Sequence, residues 1–159
     1  LRPDNEARIV WADSTQKTPT EYAIVYLHGF SASWMEGEPV HRQFAQRFGC
    51  NLYLPRLAQH GIGNEDAFLN LTEDQLYNSA KEAIAIGQKL GKKVIVMATS
   101  TGGLLGLHIA ANHPEIEALI LYSPLIRLYP PPTKLLDKPW GLQIARLALG
   151  SDYYDFTNN

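Results

Sequence analysis

The five residues Ala98-Thr99-Ser100-Thr101-Gly102 have the spacing that raises a serine for nucleophilic attack. They follow the pattern Gly-x-Ser-x-Gly, with Ala98 in the place of the first glycine. Where a strand turns at once into a helix, the middle residue is held in a strained conformation with its side chain above the sheet. The residues two before and two after it must then be small, and Ala98 and Gly102 both are. The apolar run Val94 to Ala98 reads as the strand, and Leu104 to Asn112, apolar nearly all round, reads as the helix. Ser100 therefore sits at a helix start, where backbone amides and the helix dipole favour a developing anion. An ordinary serine in a strand-to-helix loop would share Ser-x-Gly alone. The flanking elements and two further loops favour a nucleophile for acyl transfer.

Acyl transfer generates an oxyanion that needs two preorganised donors. Gly29 in His28-Gly29-Phe30 permits a tight turn that leaves the Phe30 amide free. The natural pair is the backbone N–H of Phe30 with that of Thr101, each worth about 2.7 to 4 kcal/mol in the transition state. His28 is the tempting general base. It reads better as a ring that hydrogen-bonds its own loop, because a base would have to reach Ser100 from another loop in the right tautomer. The third loop, Pro55 to Gly63, holds His60, which is likewise read as structural.

The elements that position these loops alternate along the chain. Ala7 to Ala12 is a short strand, and Asp13 to Thr20 a polar turn. Tyr22 to Leu27 is continuously apolar, as expected of a strand covered on both faces. Pro39, with Val40, Phe44 and Phe48 at four-residue spacing and Gly49 as a stop, describes an amphipathic helix. Asn51 to Leu54 is the next strand. Thr72 and Gln75 form a capping box for a longer helix with Leu76, Ala80, Ala83, Ile84 and Gly87 on one face, ended by Gly91. After the Ser100 strand and helix, His113-Pro114 is a stop and Ala118 to Tyr122 a further buried strand. This order predicts an α/β fold, a mostly parallel sheet with helices on both faces. The rhythm breaks after Pro124, where Tyr129-Pro130-Pro131-Pro132 favours extended backbone. Trp140 to Leu149 is an expected helix, ended by Gly150 and followed by Tyr153-Tyr154-Asp155-Phe156.

Leu27-His28-Gly29-Phe30, Leu54-Pro55-Arg56-Leu57-Ala58-Gln59-His60-Gly61, the elbow at Ser100 and Tyr122-Ser123-Pro124, in that order, together resemble the α/β-hydrolase family. Within it the chain is most similar to the carboxylesterase and monoacylglycerol-lipase group, over about residues 7 to 125. The resemblance implies a nucleophile at Ser100, oxyanion amides at Phe30 and Thr101, and a lid or cap beginning after Pro124. Residues 1–124 are thus expected to be the N-terminal part of a catalytic core and 125–159 the start of a mobile cap. Ala98 in place of glycine is a mild departure, and Gln59 stands where the similar loop often has glycine. Phe30, Trp34, Met35, Leu125, Ile126, Leu128, Tyr129 and Trp140 point to a small-molecule carboxylic ester with an aliphatic acyl group, with some of them serving the core instead.

Composition narrows the alternatives. The chain has 159 residues, 45% of them hydrophobic and 19% charged, which suits one soluble core. A net charge of -2 with scattered Lys and Arg offers no basic stripe for nucleic acid or an anionic membrane. The single cysteine, Cys50, forms no internal disulfide. No apolar run approaches the ~18 residues of a membrane span. The first residues lack an initiator Met and a signal-peptide core, so the start reads as trimmed, and no localisation is read from it. Gly102, Gly103 and Gly106 do not make a dinucleotide fingerprint, since Thr101 stands where glycine is needed and Leu121-Tyr122-Ser123 offers no acid. No Gly-Lys-Ser/Thr phosphate loop and no His-Glu-x-x-His pair occurs, so neither a cofactor nor a metal is implied. A non-catalytic binding protein on the same fold is the remaining rival.

In this fold the catalytic acid and then the histidine follow the serine along the chain. His108 and His113 lie on the helix that begins at the elbow and point away from it. Asp137, Asp152 and Asp155 are followed by no histidine. The triad acid and histidine are therefore expected to be absent from these residues, and the sheet to stop short of its last strands. Two further strand-helix units of about 30 residues each would supply both. The 159 residues are expected to be part of a longer chain, inactive as an esterase by themselves.

Overall fold

The computed structural model describes residues 1–64, 66–127 and 138–149. The chain divides into two compact units, residues 1–125 and 126–159. The first holds a five-stranded sheet built from β1 (Arg8–Val10), β2 (Thr20–Leu27), β3 (Asn51–Leu54), β4 (Gly91–Thr99) and β5 (Ile116–Tyr122), in the order β1-β3-β2-β4-β5. β1 runs antiparallel to β3, and every other pairing is parallel.

β2 lies between β3 and β4, and its residues Ala23 to Leu27 are wholly buried, as its unbroken apolar run requires. Alternate residues of the strands feed two cores. Val25, Leu27, Val94, Val96 and Ala98 pack with Ala80, Ala83 and Ile84 of α2 (Glu73–Leu90) and with Leu105 and Ile109 of α3 (Ser100–Ala110). Ile24, Tyr26, Leu52, Leu54 and Met97 pack on the opposite face with Trp34 and with Ala45 of α1 (Val40–Phe48). The sheet therefore carries helices on both faces, as the alternation along the chain predicts.

The capping box at α2 is present in both directions, with Gln75 N–H donating to Thr72 Oγ1 and Thr72 N–H donating to Gln75 Oε1. Asn51, wholly buried at the start of β3, ties three segments together. Its amide nitrogen donates to the carbonyls of Thr18 and Leu90, and its Oδ1 accepts from Ala12 N–H.

Three elements differ from their sequence-based outline. α3 begins at Ser100 itself rather than at Leu104, because β4 passes into helix with no intervening loop. In α1 the buried side chains are His41 and Ala45, with Phe44 half-buried, while Val40 and Phe48 are exposed. The apolar spacing located the helix, and its face is set by packing against Tyr26, whose ring meets that of His41 edge to face at 4.8 Å. β5 is half-exposed rather than buried, since among the described residues it pairs with β4 alone. In the second unit α4 (Gly141–Leu149) forms where a helix was expected, with Leu147 exposed. The proline run at 130–132, Asp137, the stop at Gly150, Asp152 and the 153–156 segment lie outside the described residues.

Candidate active site at the β4–α3 turn

β4 ends at Thr99, and Ser100 takes a positive φ of 49° as the first residue of α3. That left-handed conformation is uncommon for a residue with a Cβ and costs of order 1–3 kcal/mol, so the surroundings must enforce it. Gly102 permits the tight packing of this turn: a Cβ on it would stand 2.2 Å from the Leu27 carbonyl oxygen and 2.6 Å from that of His28. The helix can begin this close to the end of β2 only with glycine there, while Ala98 is wholly buried in β4. On the far side, Leu125 N–H donates to the Ser100 carbonyl at 2.9 Å. Thr99, the N-cap residue, makes no side-chain capping bond, which leaves the first-turn amides of α3, Thr101 included, without a cap. Ser100 is half-buried, and its hydroxyl makes no hydrogen bond among the described residues.

Strain is concentrated at this end of the sheet. Ser31, Gln59, Ser100 and Ser123 all have positive φ, and they follow β2, β3, β4 and β5 respectively. The carboxyl ends of the four parallel strands thus share one set of tight, over-determined turns, the place where open parallel sheets bind ligands.

The loop after β2 is braced by the two histidines read as structural. His28 is 1% exposed. Its Nδ1 donates to the Gly29 carbonyl at 2.9 Å and its Nε2 accepts from Leu57 N–H at 3.2 Å. Burial pushes its pKa down to about 4, so the ring is neutral. His60 Nε2 accepts from Ser31 N–H at 3.1 Å, its Nδ1 donates to the Ala58 carbonyl at 2.8 Å, and burial lowers its pKa too. With both ring nitrogens of each engaged, neither can take a proton from Ser100. His41 Nε2 donates to the Trp34 carbonyl, the His108 ring meets that of Tyr77 edge to face, and His113 bonds Glu115. No described histidine is placed as a base for Ser100. Phe30 N–H joins none of the turn's backbone hydrogen bonds, whereas Ser31 N–H goes to His60 and Ala32 N–H to the Gly29 carbonyl.

Two features of the site escaped the sequence reading. Glu36 reaches back from a short 3-10 turn (Trp34–Gly37), and its Oε2 accepts from Gly29 N–H at 2.7 Å. The Tyr26 hydroxyl lies 3.3 Å from the same oxygen and 2.8 Å from Thr99 Oγ1, so that one polar chain links Glu36 to the residue before Ser100. Burial raises the Tyr26 pKa further above its ordinary value and keeps the phenol neutral. Phe68 is the other feature. Its ring lies 4.8 Å from that of Phe30 and 4.9 Å from that of His60, building an aromatic wall on the 61–72 loop. No motif flags either residue, because both act from loops whose path is set by tertiary packing.

Among the described residues no cluster of acids, His or Cys could hold a metal, and no helix is long and apolar enough to cross a membrane.

Comparison with known proteins bears on the fold and the family. Two synthases of 2-succinyl-6-hydroxy-2,4-cyclohexadiene-1-carboxylate, from Salmonella paratyphi B and Salmonella newport, are each 33% identical over 109 residues. The match spans 62% of this chain and 42% of theirs. Among solved structures, a metagenome-derived lipolytic enzyme from work on LipS and LipT superposes with a TM-score of 0.72 at 19% identity, over 87% of this chain and 54% of that one. The monoacylglycerol lipase of Paleococcus ferrophilus gives 0.60 at 16% identity, over 89% of this chain and 49% of its own. The chain thus spans about half the length of the proteins it matches. The family model described as "Alpha/beta hydrolase family" matches residues 24–158, and with the parallel sheet and its β4–α3 turn this chain belongs to the alpha/beta hydrolase family.

Proposed function

We propose that the protein is a serine hydrolase that cleaves carboxylic esters through an acyl-enzyme on Ser100. The observation that carries this reading is the positive φ of Ser100 between β4 and α3, beside the close approach of α3 to the end of β2 that Gly102 allows. In the reaction the Ser100 hydroxyl attacks the ester carbonyl, and the N–H groups of Phe30 and Thr101 receive the oxyanion. Collapse of the tetrahedral intermediate expels the alcohol, and water then releases the acid. The base and its acid are assigned to parts of the protein beyond the described residues, since no described histidine hydrogen-bonds Ser100 and the two in the neighbouring loops, His28 and His60, have both ring nitrogens engaged.

Residues 1–124 form the N-terminal part of the catalytic core in this reading, and 125–159 begin a cap. Its support is the loss of strand-helix alternation after Pro124. An apolar acyl group is favoured by Phe30 and Met35, which are 46% and 57% exposed around the β2 loop, and by the stacking of Phe30 on Phe68.

The likeness to the Salmonella synthases favours a second reading, in which the same serine serves the synthesis of a carboxylate compound. A non-catalytic binding protein is the third. Treating the complete protein with a fluorophosphonate probe and a panel of 4-nitrophenyl esters separates them. Covalent labelling and ester turnover, both lost in Ser100→Ala, fit the esterase. Labelling without ester turnover turns the assignment towards a synthase, and absent labelling towards a binding module.

A further inference from the structure

The Glu36 carboxylate stands against the face of Gly29 that Ser100 also touches. A Cβ on Gly29 would lie 2.9 Å from Glu36 Oε1 and 3.3 Å from Ser100 Cβ, so the two side chains meet across a single missing methyl group. Oε2 is occupied by Gly29 N–H and the Tyr26 hydroxyl, while Oε1 makes no hydrogen bond among the described residues. No ion pair to Glu36 occurs among the described residues, and three arginines of the neighbouring segments have partners of their own. Arg8 pairs with Asp4 and stacks on Trp34, Arg42 pairs with Glu38 and stacks on the same ring, and Arg56 donates to the His60 carbonyl. A negative charge therefore faces the nucleophile, and none of these guanidinium groups is left to neutralise it.

Building on the esterase reading, we propose that Glu36 is a specificity-determining residue, which makes the Ser100 site select esters of uncharged acyl groups against those carrying a second carboxylate. The physical cause is Coulomb repulsion over a few ångströms at a partly solvated site, where the effective dielectric constant lies between that of the interior and that of water. Glu36 is itself exposed, so salt screens part of the effect. Like charge brought against like is a recurrent way of rejecting a wrong ligand.

The test uses the complete protein and two esters of equal acyl length, 4-nitrophenyl hexanoate and the mono-4-nitrophenyl ester of adipic acid. The readout is the ratio of their kcat/KM values, which general damage to the fold would leave alone. For the wild type the ratio is expected to favour hexanoate about tenfold at low ionic strength and to shrink at high salt. Glu36→Gln, which keeps an acceptor for Gly29 N–H, is expected to narrow it three- to tenfold, and Glu36→Asp to keep most of it. A wild-type ratio insensitive to salt, or an active Glu36→Gln with the wild-type ratio, overturns the assignment while leaving the esterase reading intact. Failure of the wild type to turn over either ester in a Ser100-dependent way overturns that reading, and this assignment with it.

Discussion

Gly102 and Leu27 are in contact through backbone alone: the α carbon at the start of α3 rests on the carbonyl at the end of β2, and a side chain between them would come within 2.2 Å of the oxygen. The neighbouring atoms are backbone of a wholly buried strand, so they have little room to give. Gly102→Ala is expected to destabilise the complete protein at the upper end of the roughly 1–3 kcal/mol typical of overpacking, and to shift the Ser100 hydroxyl. Denaturant titration checks the first, and the rate of fluorophosphonate labelling the second. An unchanged unfolding midpoint would contradict the contact.

The Asn51 side chain makes three hydrogen bonds from a fully buried position. Asn51→Ala leaves the Ala12 amide and the Thr18 carbonyl without their side-chain partner, while the Leu90 carbonyl keeps the Thr20 hydroxyl, at about 1–3 kcal/mol for a buried polar group so abandoned. The variant is expected to lose at least that much in urea unfolding. A loss below about 0.5 kcal/mol would mean that water replaces the side chain.

His28 makes stability depend on pH. Its pKa falls from 6.5 to about 4 on folding, so the unfolded chain binds the proton more tightly than the native one. Stability from this residue is full above pH 6.5 and is lost as pH falls towards 4, by about 3 kcal/mol in all. His60 is lowered as well and adds in the same direction. Asp13, Glu21 and Glu115, whose pKa values are lowered from the ordinary carboxylate range, lose their contributions only as pH falls through that range. Unfolding free energies at pH 7, 6 and 5 thus isolate the histidines. A decline across that window, reduced in His28→Asn, is expected, and a flat profile would contradict a neutral buried ring.

The sequence carried the parts of this site that local rules dictate. Ala98 and Gly102 are small because the turn leaves no space, and the unbroken apolar run of β2 follows from burial on both faces, so each is visible in a single chain. The capping box of α2 is a local hydrogen-bond exchange and was equally legible. Glu36 was not, because its role arises where a 3-10 turn folds back onto Gly29, a contact that no spacing rule encodes. The face of α1 was misread for the same kind of reason. His41 is buried by its contact with Tyr26, and hydropathy alone assigns that place to Val40 and Phe48.

The most direct measurement of the central claim is esterase activity in the complete protein with and without the Ser100 hydroxyl, using 4-nitrophenyl hexanoate and a fluorophosphonate probe side by side. Ser100→Ala is expected to retain the wild-type circular dichroism and unfolding midpoint. It should lose probe labelling and lower turnover by a factor approaching the order of a millionfold seen when a serine hydrolase loses its nucleophile. Turnover by Ser100→Ala within tenfold of the wild type, or labelling that persists at another residue, would contradict the assignment of Ser100.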